Sequence, residues 1–163
     1  MERDPRLEAI KRQRRHPVHG VFEIPTQSTI AYLTVGTCDG RPWAANFEVQ
    51  TLLHDIWTAA TAWRVGHYLL MPDHLHYFAT PGWHEYALER WAMYWKRLFT
   101  QGHGDRAHRW QIDHWDTRIR SAEHYHEKWE YVRQNPVKAG LVACPDDWPF
   151  QGTVFDVHWY QTR

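Results

Sequence analysis

The sequence predicts an α+β domain with a ferredoxin-like plan, in which two helices back an antiparallel sheet. Segments with the hydrophobic periodicity of strands and of helices follow one another in the order β-α-β-β-α-β, and one additional helix comes after them. The 163 residues are 43% hydrophobic and include 11 tryptophans, which is enough apolar volume for the core of one globular domain. The chain is therefore expected to be globular rather than disordered.

The first half of the plan has four elements. Residues 29–35 are rich in β-branched and aromatic side chains, which predicts a strand. Asn46 is a predicted N-cap, and the apolar residues after it recur at helical spacing. Residues 65–71 and 75–80 are then two predicted strands. They are separated at Pro72, because proline disfavours one continuous central strand.

The second half begins with a predicted amphipathic helix over residues 88–99. Its apolar face consists of Leu88, Trp91, Ala92, Trp95, Leu98 and Phe99. Residues 110–119 are a predicted strand. Ser121 is the predicted N-cap of the additional helix, which should extend to about Gln134 and stop there, because Pro136 disfavours helical geometry at the residue before it.

Three segments are expected along the chain: a basic N-terminal arm and loop at residues 1–28, the domain at 29–150 and a C-terminal tail at 151–163. The formal net charge is zero, so charge alone favours a solvated surface over a phosphate-binding one. Basic residues nevertheless cluster twice. The arm contains Lys11, Arg12, Arg14 and Arg15, and the middle of the chain contains Arg90, Lys96, Arg97, Arg106 and Arg109.

The two cysteines, Cys38 and Cys144, form no C-x-x-C pair, which is typical of a protein in a reducing cytosol. No apolar run approaches the length that crosses a membrane. We therefore expect a cytoplasmic, soluble protein without a membrane partner.

A histidine pair in the third predicted strand is the first sign of chemistry. His74 and His76 are two residues apart, so their side chains lie on one face of a strand. Two neutral imidazoles on one face can hold a divalent metal and leave coordination positions open. Alone, such a pair is more often structural, and Asp73 beside it is either a turn residue or an orienting partner for a metal-bound histidine.

The additional helix supplies the second sign. Tyr131 lies off the apolar stripe of that helix, so it is a poor candidate for the core. Asn135 is four residues further on and projects near the same place; Gln134 is a competing amide on a different flank. A tyrosine next to a metal can attack a phosphodiester and form a covalent tyrosyl phosphate.

These motifs resemble those of one family. His74-Leu75-His76 after Met71-Pro72-Asp73, and Tyr131-x-x-x-Asn135-Pro136, resemble the REP-associated tyrosine transposases, which belong to the HUH (His-hydrophobe-His) single-strand endonucleases. Trp110-Gln111, Trp115-Asp116-x-x-Ile119-Arg120 and Pro145-Asp146-Asp147-Trp148-Pro149 are similar to this family too. The resemblance covers roughly residues 30–150.

The resemblance implies a metal site, a nucleophile and a substrate. His74, His76 and Asn135 would bind Mg²⁺ or Mn²⁺, and Tyr131 would join a 5′ phosphate of single-stranded DNA that carries a palindromic hairpin. The resemblance also favours DNA contacts from the basic arm, at Lys11, Arg12, Arg14 and Arg15, and the charge pattern around the second predicted helix adds Arg97 and Arg109. A monomer or homodimer located at the nucleoid is expected. Thr117 departs from the family, since many members have histidine there.

Two other functions remain open from the sequence. The first is a domesticated protein that binds hairpin DNA without useful cleavage, although the histidines, tyrosine and asparagine are all present. The second is a zinc hydrolase of small molecules, which would leave Tyr131 and Asn135 unexplained. Of the tryptophans near predicted loops, Trp43, Trp83 and Trp110 either stack on unpaired bases or, more commonly, pack beneath the loop.

Overall fold

The computed structural model describes residues 28–83 and 86–161. The basic arm residues Lys11, Arg12, Arg14 and Arg15 lie outside the described part of the chain. Within it, the strands are β1 (Ala31–Gly36), β2 (Trp63–Leu70), β3 (His74–Pro81), β4 (Trp115–Arg118) and β5 (Gln151–Thr153). They form one antiparallel sheet with the order β4-β1-β3-β2-β5.

The helices are α1 (Phe47–Ala59), α2 (Leu88–Gly102), α3 (Ala122–Arg133) and the short α4 (Asn135–Lys138), and a 3-10 turn follows at Pro145–Asp147. In the described part of the chain the order begins β1, α1, β2, β3, α2 and β4, so the predicted ferredoxin-like α+β fold with an additional helix is confirmed. No helix among the described residues is long and apolar enough to cross a membrane.

The helices lie on opposite faces of the sheet. Alternate residues of β1 point to opposite faces, and Leu33 belongs to one hydrophobic cluster with Trp57 of α1 and Trp95 of α2. Tyr32 points the other way and packs with Trp129 of α3. The sheet therefore separates a face covered by α1 and α2 from a face covered by α3.

Local signals located the helix starts. The Asn46 side chain accepts a hydrogen bond from the backbone N–H of Val49, and Ser121 does the same for His124. Each satisfies a donor that the first turn of a helix leaves unpaired. The helix α3 ends where the sequence predicts, at Arg133 with Gln134 as its C-cap. Helical geometry resumes at Asn135, where Pro136 was expected to disfavour it, because Pro136 lies in the first turn of α4, where no N–H is needed.

Two predicted boundaries differ from the structure. The strand predicted at residues 110–119 is limited to β4, and Trp110 makes only an isolated bridge to Thr37. Residues 151–153, which the sequence analysis places in a tail, form β5 and pair with β2. Sheet pairing therefore continues past Phe150.

The loop tryptophans divide into two groups. Trp43 and Trp110 are buried, at 9% and 4% exposure, and their rings contact each other, so they pack beneath loops. Trp83 is 59% exposed. The tryptophans at helical spacing contribute to the cores, with Trp57, Trp91 and Trp95 almost fully buried.

Candidate active site

His74 is the first residue of β3, directly after the turn at Pro72 and Asp73. Its Nδ1 lies 2.7 Å from Oδ1 of Asp73, which accepts a hydrogen bond from the ring. This contact fixes the imidazole and leaves its Nε2 lone pair free. Asp73 is therefore a turn residue and an orienting partner at once.

His76 contacts two hydroxyl groups of β1 through its Nδ1. Its Nδ1 lies 2.8 Å from the Tyr32 hydroxyl and 2.8 Å from Oγ1 of Thr34. Thr34 is the direct partner of His76 in the β1–β3 register, which explains why these side chains meet. Tyr32 and Thr34 were not among the predicted site residues; their signal in the sequence is the two-residue spacing within the first predicted strand.

Asn135 approaches His76 from α4, at the end of the long helix α3. Its Nδ2 lies 3.0 Å from Nε2 of His76 and donates to it, so the ring proton is on Nδ1 and the Nε2 lone pair faces the amide. Gln134, the competing amide, caps α3 through its backbone N–H. The structure thus brings Asn135 together with the histidine pair.

Burial keeps His76 neutral. The residue is 8% exposed. Burial lowers the pKa of His76 to about 3, and the neighbouring His74 and Lys128 contribute to the decrease. A neutral imidazole is the form that binds a metal ion.

Tyr131 lies on the outer flank of α3 and is 60% exposed. The Nζ of Lys138 lies 4.1 Å from the centre of its ring. The Nζ of Lys128 is 5.9 Å from the same ring and 5.1 Å from that of Tyr32. Burial raises the pKa of Tyr32; a hydrogen bond with Thr34 opposes this rise and the nearby Tyr131 adds to it. Lys128 therefore lies near both the exposed phenol ring of Tyr131 and the ring of Tyr32, whose hydroxyl contacts His76.

The donor set fits a divalent cation that accepts nitrogen and oxygen ligands. The rings of His74 and His76 are 4.8 Å apart between centroids and nearly perpendicular, at 85°. A half-turn of the Asn135 carboxamide would direct its oxygen to the position that Nδ2 occupies. Among the described residues no group of three or more His, Cys, Asp or Glu side chains could hold a metal, so a site here depends on this amide.

Arg97 and Arg109 lie away from the histidines. Arg97 is on α2 and Arg109 in the loop after it; both are exposed and line one groove of about 390 Å³. Because α2 covers the opposite face of the sheet from His76, this groove does not open into the site. Thr117 of β4 is paired with Tyr32, so its side chain is on the same face as His76.

Comparison with known proteins agrees with these motifs. No family model matches the chain. Over 122 residues it is 29% identical to the REP-associated tyrosine transposase of Escherichia coli (strain K12). The aligned residues make up 73% of this chain and 73% of the transposase. The predicted resemblance to the REP-associated tyrosine transposases is confirmed. The fold is also similar to that of a REP-associated tyrosine transposase bound to a REP hairpin, with a TM-score of 0.66, 21% identity and coverage of 83% of this chain and 93% of the other.

Proposed function

We propose that this protein is a metal-dependent single-strand DNA endonuclease and strand transferase that acts at hairpin DNA through a covalent 5′-phosphotyrosine intermediate. The observation that carries the proposal is the meeting of Asn135 with His76 at 3.0 Å, at the end of the helix that bears Tyr131. Relatedness to a REP-associated tyrosine transposase supports the substrate class, since a similar structure has a REP hairpin bound.

His74, His76 and Asn135 would hold Mg²⁺ or Mn²⁺ in this proposal. A divalent ion held by these residues would supply Lewis-acid chemistry at the scissile phosphate. Asp73 holds Nδ1 of His74, and the hydroxyls of Tyr32 and Thr34 hold Nδ1 of His76, so Nε2 is the nitrogen that each ring would offer to the ion. These contacts organise the ligands before DNA arrives.

Tyr131 would be the nucleophile. Its phenol would lose its proton to solvent, and the phenolate oxygen would form a bond to phosphorus while the bond from phosphorus to the 3′ oxygen breaks. The departing 3′ oxygen would take up a proton from solvent and leave as a 3′ hydroxyl. The 5′ phosphate stays attached to tyrosine, so attack by another 3′ hydroxyl can rejoin DNA without an energy cofactor. The ammonium groups of Lys128 and Lys138 beside the ring would attract the incoming phosphate.

The Tyr131→Phe variant tests the nucleophile. A hairpin oligonucleotide labelled at its 3′ end is incubated with protein and Mn²⁺ and then analysed on a denaturing gel. We expect a covalent adduct with the native protein and none with Tyr131→Phe, while hairpin binding changes by less than about threefold, because only an exposed hydroxyl is lost.

Tyr160→Phe is the matched control, since Tyr160 is equally exposed, at 61%, and should leave the adduct unchanged. An adduct formed at the native rate by Tyr131→Phe, or in excess chelator, would refute the mechanism. Hairpin binding by the native protein without any adduct would instead indicate a DNA-binding protein that does not cleave.

A further inference from the structure

The side chain of Gln111 packs against Gly36, in space that the Cβ atom of any other residue at position 36 would fill. The backbone N–H of Gln111 donates to the carbonyl of Gly36 at 2.8 Å. A Cβ atom built on Gly36 would lie 2.9 Å from Oε1 of Gln111 and 3.0 Å from its Cδ. Such a separation is shorter than real Cβ contacts, so any other residue at position 36 would displace the carboxamide.

The β1–β3 register places this carboxamide on the face of the proposed metal site. Gly36 pairs with His74, and Thr34 pairs with His76. Because Gly36 and Thr34 are two residues apart, they point to the same face, and the Thr34–His76 contact identifies that face. Opposed Cβ positions in antiparallel strands are about 5 Å apart, so the carboxamide lies beside His74.

We propose that Gln111 supplies a further oxygen ligand to the divalent ion, on the side of His74 away from Asn135. This inference rests on the proposed function, since it assumes the ion that His74, His76 and Asn135 would hold. Mg²⁺ and Mn²⁺ prefer oxygen donors and bind up to six ligands. Two imidazoles and one amide leave positions open, and Gln111 is exposed to the solvent from which the ion arrives.

Direct metal binding is the test, measured by Mn²⁺ titration of the full chain without DNA. We expect Gln111→Ala to weaken Mn²⁺ binding by about tenfold or more, comparable with the loss of groups that support a metal site. Gln111→Glu should bind Mn²⁺ at least as tightly as the native protein, because its oxygen carries charge. A residue that contacted only DNA phosphates would not change metal affinity.

Gly36→Ala tests the same contact from the other strand. The added methyl group should displace the carboxamide and reproduce the effect of Gln111→Ala. In the Gln111→Ala background, Gly36→Ala should then have no further effect on Mn²⁺ affinity. Gly104→Ala is the control, because a Cβ at Gly104 meets no atom within 4 Å.

The outcomes separate this inference from the function on which it rests. If His76→Ala abolishes Mn²⁺ binding while Gln111→Ala leaves it unchanged, the ligand role of Gln111 is wrong and the proposed metal site stands. If the His76→Ala variant also binds Mn²⁺ with native affinity, both the ligand role of Gln111 and the proposed metal site are wrong. Melting curves identify variants that fail to fold, and Gln111→Glu, which preserves the size of the side chain, then provides the decisive affinity.

Discussion

The hydroxyl groups of Tyr32 and Thr34 determine which nitrogen of His76 faces the proposed metal. Both lie 2.8 Å from Nδ1 and hold it as the protonated nitrogen. Removing both in Tyr32→Phe with Thr34→Val should weaken Mn²⁺ binding about 10- to 100-fold, because the ring loses its fixed orientation and tautomer. Calorimetric titration measures this.

Tyr94→Phe is a suitable control for that double variant, since Tyr94 lies on α2, on the other face of the sheet. Unchanged Mn²⁺ affinity in the double variant would show that burial alone orients His76. Tyr32→Phe by itself should have a smaller effect than the pair, because Thr34 remains to accept the proton of Nδ1.

At the residue scale, the sequence was informative where one element contained the whole signal. Spacing within a strand put His74 and His76 on one face, and spacing along a helix put Tyr131 and Asn135 on one flank. Tyr32 and Thr34 were missed because their contact with His76 depends on the β1–β3 register. Gln111 was noted only as part of a motif, since its place beside His74 depends on a loop returning to β1.

The element that matters most for the proposed chemistry is α3, which carries Tyr131 and leads directly into Asn135. Its first turn is capped by the Ser121 hydroxyl, 3.0 Å from the N–H of His124. Ser121→Ala should lower the free energy of unfolding by about 1 kcal/mol, measured by urea denaturation. It should also lower adduct yield, because fraying of α3 displaces the tyrosine.

Asn46→Ala provides the comparison for that prediction. Asn46 caps α1 with a hydrogen bond of 2.9 Å to the N–H of Val49, on the face away from the site. Its loss should reduce stability by a similar amount and leave adduct yield nearly unchanged. Equal loss of adduct in both variants would mean that global stability, not the position of α3, limits the reaction.

Elements with local start signals were predicted well, and elements that depend on neighbours were not. Both helix caps and the break at Pro72 are encoded within a few residues. In contrast, β5 has only three residues, too few for a periodicity, and forms because β2 offers an unpaired edge. The predicted strand at residues 110–119 is shorter: Trp110 makes an isolated bridge to Thr37, and the carbonyl of Ile112 accepts a hydrogen bond from the buried Lys96 ammonium.

For the whole molecule, the separation of the two sheet faces constrains how DNA can bind. The proposed nucleophile and metal ligands lie on the α3 face, whereas Arg97 and Arg109 line a groove beside α2 on the other. A substrate that engages both must pass around an edge of the sheet. Flexible single strands can follow such a path, but a stiff duplex resists the bending.

A hairpin with a 5′ single-stranded extension should therefore bind much more tightly than a blunt duplex of equal length, as measured by fluorescence anisotropy.

Replacing both Arg97 and Arg109 with glutamine should weaken hairpin binding and reduce the slope of log K against log salt concentration by roughly 2, because two fewer phosphate contacts release counterions. Arg41→Gln is the control, since its side chain is 80% exposed and already faces Asp39. If the blunt duplex binds and is cut as well as the extended hairpin, the proposed path of a single strand around the edge of the sheet is wrong. If the arginine variants keep the native salt slope, their groove does not contact DNA, and the phosphate contacts lie elsewhere on the chain.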